Sequence, residues 1–447
     1  MLDRNAARLV RVDFELSFGG TSFLSVERQP SVGVVLILEL HCDFESRSPV
    51  TPGDVGLYNY VFHPKTEPLF LWYKIGKGEY HCVKFYLSER IEDHPELLDA
   101  LLDPGIFLVA FNSAFERYML RKLGHTISAS RFIDPQVGGR YLSLPASLGV
   151  QTDVLDVPVY LSKMKSGEQL IKLFCEQVIT KPTKRNPNPR APYYNDWNSH
   201  PKEWEEFLEY GRMDVVSEGE LLRRIRILGG LPLPDAEQKL WLLDQLVNDR
   251  GMPTDRVFVE KMYRLALRAK TEAKEKFEKL TGVKNANSPP QVKAWAVTQG
   301  YPYPSLNKDI VTSALKDPTL KLTDLCREAL KLRREAASTS YTKLPTMLDC
   351  LAPDNTLKGQ FIFMGSSRCG RWSGNAVQLH NFPRPGVIEK KDAQGNVIAR
   401  YDFEDQKVVK EARALVYAEN YETMKEKYDS VLLVVKNLLR TVFVAPV

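Results

Sequence analysis

The sequence predicts an α/β layer domain followed by a mainly helical region, and three observations carry that reading. An apolar, partly β-branched run, Val34–Leu40, feeds directly into His41-Cys42-Asp43-Phe44-Glu45. Strand-like and helix-like segments then alternate as far as Ile227, the pattern of a sheet layered against helices. Beyond Gly229-Gly230-Leu231-Pro232-Leu233-Pro234 the periodicity turns mostly helical, so residues 229–234 are the best domain boundary. A chain of 447 residues has room for about two to four domains, each with its own core.

Residues 1–30 show no clear periodicity and are expected to form an N-terminal extension, with Gly33 at the entrance to the opening strand. Residues two apart on an extended chain share a side, so that strand aims Asp43 and Glu45 together and turns Phe44 into the opposite layer. Ser48–Gly53 reads as a turn cluster. Glu67–Tyr73 and Tyr80–Tyr86 form a hairpin around the polar Lys74–Glu79. His94–Leu102 is helical, and Gly105–Phe111 is a buried strand running into a helix from Asn112 that Gly124 stops. Thr180–His200 is a basic loop, and Pro201 opens a helix through Ile227.

In the second half, Asp235 and Gln238 suggest a capping box before Leu240–Asn248. Thr254 or Asp255 caps a longer helix with one apolar stripe, Phe258, Met262, Leu265, Ala269, Ala273, Phe277 and Leu280. Leu322–Leu344 reads as a long basic helix closed by Pro345. A strand pair, Gln360–Met364 with Val387–Tyr401, brackets a Gly/Ser/Arg-rich loop, and Thr441–Val444 is strand-like.

Composition narrows the class. Hydrophobic content of 43% and charged content of 26% are those of an ordinary soluble protein. No apolar run approaches the roughly 18 residues of a membrane span, and the N-terminus lacks a signal-peptide pattern, so an intracellular protein without a membrane partner is expected. The six cysteines lie far apart with no C-x-x-C pair, which favours reduced thiols over a disulfide or zinc framework. A net charge of +5 permits an anionic partner without demanding one.

The chemistry is carried by carboxylates. Asp-Phe-Glu occurs at 13–15, 43–45 and 402–404, but only Asp43/Glu45 follows a run long enough to be a central strand. Two acids side by side repel, and a shared proton or a divalent cation relieves that. Glu116, in Asn112-x-x-Phe115-Glu116, projects from a first helical turn, where the helix dipole favours an anion. Tyr210 and Asp214 stand at i and i+4 in the middle of the Pro201–Ile227 helix and share a face. Together these supply four carboxylates and a phenol, the hard-oxygen set that two divalent ions want. The seven scattered histidines disfavour zinc.

In this order, Asp43-x-Glu45, Asn112-x-x-Phe115-Glu116 and Tyr210-x-x-x-Asp214 resemble the three motifs of 3′–5′ proofreading exonucleases with a ribonuclease H-like fold. The surrounding Asp43-Phe-Glu-Ser-Arg-Ser-Pro-Val…Val55-Gly-Leu-Tyr58-Asn-Tyr60…His63-Pro64 is similar to phage-type family A DNA polymerases, a resemblance running from about residue 31 to the end. It implies an exonuclease domain over 31–228 with a mixed sheet flanked by helices, a linker at 229–234, and an incomplete polymerase region over 235–447. That region would comprise a mainly α thumb and a partial α+β palm.

The implied cofactors are two Mg²⁺ or Mn²⁺ ions. Asp43 would bridge them, Glu45 and Asp214 would complete one site, and Glu116 would hold the second ion through water. Tyr210 would orient the attacking water, with Asn112 and Phe115 at the DNA end. Many relatives carry Asp where this chain has Glu116.

The stretch Gly365-Ser-Ser-Arg368-Cys369-Gly370-Arg371-Trp372-Ser-Gly374…Gln378-Leu-His-Asn381-Phe-Pro383 combines glycines with phosphate-binding side chains. It resembles the family A segment that contacts the primer–template, with Cys369 in place of a threonine and Arg371, Gln378 and Asn381 matching. Lys331–Lys343 resembles the thumb helix and tip that grip the duplex. The family's D-Y/L-S-x-I-E, K…Y-G and H-D-E motifs are absent from the 447 residues. The chain by itself is therefore expected to degrade rather than polymerise DNA, as the front portion of a polymerase: a fragment, a split-gene product whose second polypeptide carries the rest, or an interrupted reading frame. Two alternatives stay open at this stage: a DNA primer–template binding module with a weak or silent exonuclease site, and a stand-alone RNA exonuclease.

Overall fold

A computed structural model describes residues 38–158, 167–183, 186–317, 319–337, 340–366, 369–392 and 396–445. The proposed extension, Gly33 and most of the opening apolar run lie outside them. The chain divides into two compact units: one runs to Pro49 and resumes over Pro64–Gln238, and the other holds Val50–His63 with Lys239–Val447. No described helix is long and apolar enough to cross a membrane.

In the first unit β1 (Glu39–Arg47) is followed, after α1 (Pro52–Phe62) of the other unit, by β2 (Glu67–Ile75), β3 (Tyr80–Val83), α2 (Pro95–Leu102), β4 (Phe107–Val109), α3 (Ala114–Lys122) and β5 (Phe132–Ile133). Helices α4 (Pro135–Tyr141), α5 (Leu148–Val154), α6 (Gly167–Cys175) and α7 (Pro201–Ile227) complete it. The strands form a mixed sheet in the order β3-β2-β1-β4-β5, with β1 central, antiparallel to β2 and parallel to β4. Its alternation is strict: Leu40, Cys42, Phe44 and Ser46 are buried on one face, while Glu39, His41, Asp43, Glu45 and Arg47 are half-buried on the other.

The unit's aromatic core explains where α7 sits. Phe70 of β2, Phe174 of α6 and Trp204, Phe207 and Tyr210 of α7 are all buried in one cluster. Each such ring removes a large apolar area from water, so their shared packing dominates the docking of α7. Gly211 makes the approach close: a Cβ there would lie 2.6 Å from the Phe70 ring.

In the second unit α8 (Asp235–Arg250) leads through β6 (Met252–Pro253) to α9 (Arg256–Thr281), capped by Asp255, whose side chain accepts the Phe258 N–H at 2.9 Å. The stripe holds, with Phe258, Met262, Leu265, Ala273 and Phe277 all buried. Next come α10 (Pro289–Thr298), α11 (Lys308–Lys316), α12 (Asp324–Ala336), α13 (Lys343–Cys350), β7 (Thr356–Leu357), β8 (Phe361–Ile362), β9 (Ser373–Gly374), β10 (Val387–Lys391) and β11 (Val397–Asp402). The chain continues through α14 (Gln406–Tyr417), α15 (Tyr421–Tyr428) and α16 (Val431–Leu438).

Four local expectations change. Ser48–Gly53 is not only a turn: Thr51 caps α1, and Asn59 donates to the Asp349 carbonyl at 3.2 Å within the second unit. The long basic helix is two helices, and Pro345 sits in the first turn of α13, where its missing N–H costs nothing. β8 pairs with β9, while β10 and β11 make their own hairpin, because local turns close these short ladders before a distant partner can. Thr441 and Val442 lie in a 3₁₀ turn (Leu439–Val442), and only Phe443 forms a β-bridge, to Thr254.

Candidate active site

The half-buried face of β1 meets the buried face of α7. Oxygens of Asp43, Glu45 and Asp214 all come within 4.8 Å of one another. Among the described residues no other group of three or more acidic, histidine or cysteine side chains is close enough to share a cation. Three carboxylates so close would repel, and hard anionic oxygens are the donors that Mg²⁺ or Mn²⁺ prefers, so the donor set fits a divalent ion.

Tyr210 joins the group from one turn before Asp214. It is 1% exposed, stacks on Phe207 at 6.1 Å and donates its hydroxyl to the Asp214 carboxylate. Burial first, then the charges of Asp214, Glu45 and Asp43, hold that hydroxyl far above its ordinary titration range. It therefore stays a phenol, able to donate a hydrogen bond but not to act as a base. Gly167 at the start of α6 makes room for the ring, since a Cβ there would lie 2.1 Å from Tyr210 Cε2.

Glu116 is placed differently. It lies outside the group that closes to 4.8 Å, is 1% exposed, and accepts the backbone N–H of Phe44, between Asp43 and Glu45. The β4 pairing of β1 ends at His41↔Val109, so α3 supplies a partner to the strand just beyond it. Its Oε2 is buried with no hydrogen bond. Burial, reinforced by Glu218 and Asp134, raises its pKa well above the ordinary carboxylate range. Asn112 is exposed in the left-handed region at φ 66°, and Phe115 is half-buried in the first turn of α3.

Three polar residues beside the site, Glu218 and Asp134 buried and His41 half-buried, escaped the sequence reading. Glu218 is 2% exposed, and its two oxygens meet His41 Nδ1 at 3.3 Å and the Phe111 N–H at 2.7 Å. Asp134 accepts the N–H groups of Asn112 and Ser113 at 3.1 and 2.9 Å. A signal existed for two of them, because His41 is two residues before Asp43 on a strand and Glu218 four after Asp214 on a helix. Asp134 had none beyond a proline after it.

The candidate DNA-binding residues of the second unit are distributed otherwise. Lys343 Nζ donates to the Val377 carbonyl at 2.7 Å and lies 5.3 Å from the centre of the Phe382 ring, and burial lowers its pKa. It thus staples α13 to the turn around Val377. Arg371 is exposed, and its carbonyl accepts the Ser366 N–H at 3.0 Å, closing the loop. Gln378 is left-handed at φ 53° and accepts from Asn381 Nδ2 at 3.0 Å. Arg368 lies outside the described residues.

No protein-family model matches the chain. A curated relative, the DNA polymerase of Bacillus phage SP02, is 31% identical over 413 residues, 91% of this chain and 57% of that protein. The chain thus spans little more than half the length of that relative. A solved structure, the POL domain of Pol1 from M. smegmatis in complex with DNA primer-template and dNTP, is 13% identical. It covers 78% of this chain and 53% of that one with a TM-score of 0.47, agreement too low to carry an argument about the fold. The sequence relationship, 31% identity across 91% of the chain, bears out the resemblance to phage-type family A DNA polymerases.

Proposed function

We propose that the first unit is a ribonuclease H-like 3′–5′ exonuclease that removes nucleotides from a single-stranded DNA 3′ end inside the cell, as the proofreading part of a replicative polymerase. The observation that carries it is the convergence of Asp43, Glu45 and Asp214 within 4.8 Å, with the Tyr210 hydroxyl on the same helix face. Two Mg²⁺ or Mn²⁺ ions, when bound, supply an activated water and neutralise charge developing on the phosphodiester.

The chain's own part is to hold and orient. Asp43, Glu45 and Asp214 would hold the ions, with Glu116 supporting them from behind Phe44. Tyr210, kept as a phenol, orients the attacking water, while Asn112 and Phe115 border the strand end. The second unit grips primer–template DNA, with Lys343 shaping the loop from which Arg371, Gln378 and Asn381 reach phosphate and sugar; Arg368 is assigned to the same contact by the resemblance alone. No nucleotide-adding chemistry is assigned to that unit.

The test is mononucleotide release from a single-stranded oligonucleotide in Mg²⁺ or Mn²⁺ by the chain and by its Asp43→Ala/Glu45→Ala variant. Release should vanish in the variant; undiminished release would overturn the site. A matched RNA strand in the same assay should be cut more slowly than DNA.

A further inference from the structure

Beneath the carboxylate cluster the same strand and the same helix meet a second time. His41 precedes Asp43 by one strand repeat, and Glu218 follows Asp214 by about one helical turn. Their contact, 3.3 Å between His41 Nδ1 and Glu218 Oε1, ties β1 to α7 directly below the cluster. The other oxygen of Glu218 takes the Phe111 N–H at 2.7 Å.

That amide begins a run of three. The N–H groups of Asn112 and Ser113 go to Asp134 at 3.1 and 2.9 Å, and Ser113 Oγ donates to the same carboxylate at 3.0 Å. Two buried carboxylates therefore grip every backbone amide from Phe111 to Ser113, the turn that launches α3 and hence Glu116. A buried carboxylate is costly unless donors match it, and here the donors are those of the turn itself. Asn112 within that turn adopts a left-handed conformation, which asparagine tolerates better than most side chains.

We propose that Glu218 is a positioning residue for the carboxylate cluster. Through His41 it sets the level of β1 on α7, and through Phe111 it sets the turn that carries Asn112 and Glu116. It thereby brings residues from three separate elements to bear on the same cations. This rests on the reading of the first unit as a metal-dependent nuclease. Residues that orient metal ligands from behind typically govern metal affinity or turnover by about 10- to 100-fold. A plain packing brace would move stability alone.

The experiment uses the full chain and Glu218→Ala, Glu218→Asp and Glu218→Gln variants. The control is Glu209→Ala, which removes a surface ion pair to Arg212 (2.6 Å) on the same helix. Mn²⁺ binding without DNA is followed by electron paramagnetic resonance, nucleotide release against Mn²⁺ and DNA concentration, and folding by thermal melts. Glu218→Ala and Glu218→Asp should weaken Mn²⁺ binding and lower kcat by about 10-fold or more while KM for DNA holds. Glu218→Gln keeps an acceptor for Phe111 and should recover most of both.

If the alanine chain does not fold, the aspartate variant decides. A folded Glu218→Asp chain that binds Mn²⁺ like the wild type overturns the proposal, as does equal weakening in Glu209→Ala. The wild type fails differently: Mn²⁺ binding weakened by Glu218→Asp, but without nucleotide release from any chain, would refute the nuclease and leave the positioning role standing. A wild-type chain that binds no Mn²⁺ refutes both.

Discussion

The two units treat their polar candidates in opposite ways. In the first, residues far apart in sequence converge: β1 and α7 bring three carboxylates within 4.8 Å, with a buried phenol against them. In the second, the candidates stay on one loop and its neighbours. Lys343 is already committed to the Val377 carbonyl, and Gln378 and Asn381 bond to each other. Arg371 reaches solvent. On the proposed function, the contrast separates two kinds of work. Cation chemistry needs like charges forced together, which only a packed scaffold can do. Grip on a phosphate backbone needs exposed donors on a shaped surface, and the scaffold's part is to shape the loop.

Substitutions can break that comparison, starting with the largest effect. Asp43→Asn or Asp214→Asn should lower nucleotide release by more than the about 100-fold upper range for residues that merely support metal ligands. Primer–template binding, followed by fluorescence anisotropy, should persist. A nuclease-dead chain that also loses duplex binding would show that the two functions are not separable. Glu116→Gln keeps the acceptor for the Phe44 N–H but not the charge, and should cost about 10- to 100-fold in turnover if a metal-bound water depends on it. Turnover close to wild type would reduce Glu116 to a brace between α3 and β1.

Gly167→Val sharpens the packing side. Its Cβ would fall 2.1 Å from the Tyr210 ring, so denaturant melts should show a loss of about 1–3 kcal/mol together with weakened nuclease activity. In the second unit, Arg371→Ala should reduce the slope of log affinity against log salt by about one, the signature of a single lost phosphate contact. An unchanged slope would remove Arg371 from the interface.

The smallest expected effect is acid dependence at Glu39. Burial alone would raise its pKa, but hydrogen bonds to His41 and Arg226 overcome that and lower it from 4.5 to about 2. A depressed carboxylate stabilises the fold above its unfolded pKa and loses that contribution as pH falls through the folded one. The stability difference between wild type and Glu39→Gln, from urea melts, should therefore be full above pH 4.5 and shrink towards pH 2.

Much of this site was legible because its parts obey short-range periodicities. Alternation along β1 puts Asp43 and Glu45 on one side, and the four-residue step in α7 aligns Tyr210 with Asp214. The limits of α7 and the stripe of α9 follow from a proline start and apolar spacing in the same way. The same steps also pointed to His41 and Glu218, but a lone histidine or glutamate on a polar face is ordinarily solvated, and nothing local marks the one that will be buried. Asp134 gave still less, since its role is to accept amides from a turn about twenty residues away.

The residues alone determined the elements that build the site, β1, α3 and α7, the polar face of the central strand and which side chains could work together. The tertiary structure decided their neighbours. It set β1 between β2 and β4, ended the β4 pairing at His41, drew Pro52–Phe62 into the second unit, and let Gly167 and Gly211 bring helices against Tyr210 and Phe70. The physical reason is range. Backbone geometry and amphipathic spacing act within a few residues, whereas burial and charge pairing depend on whichever distant segment excludes the water. For Glu218 that segment, His41, is 177 residues away.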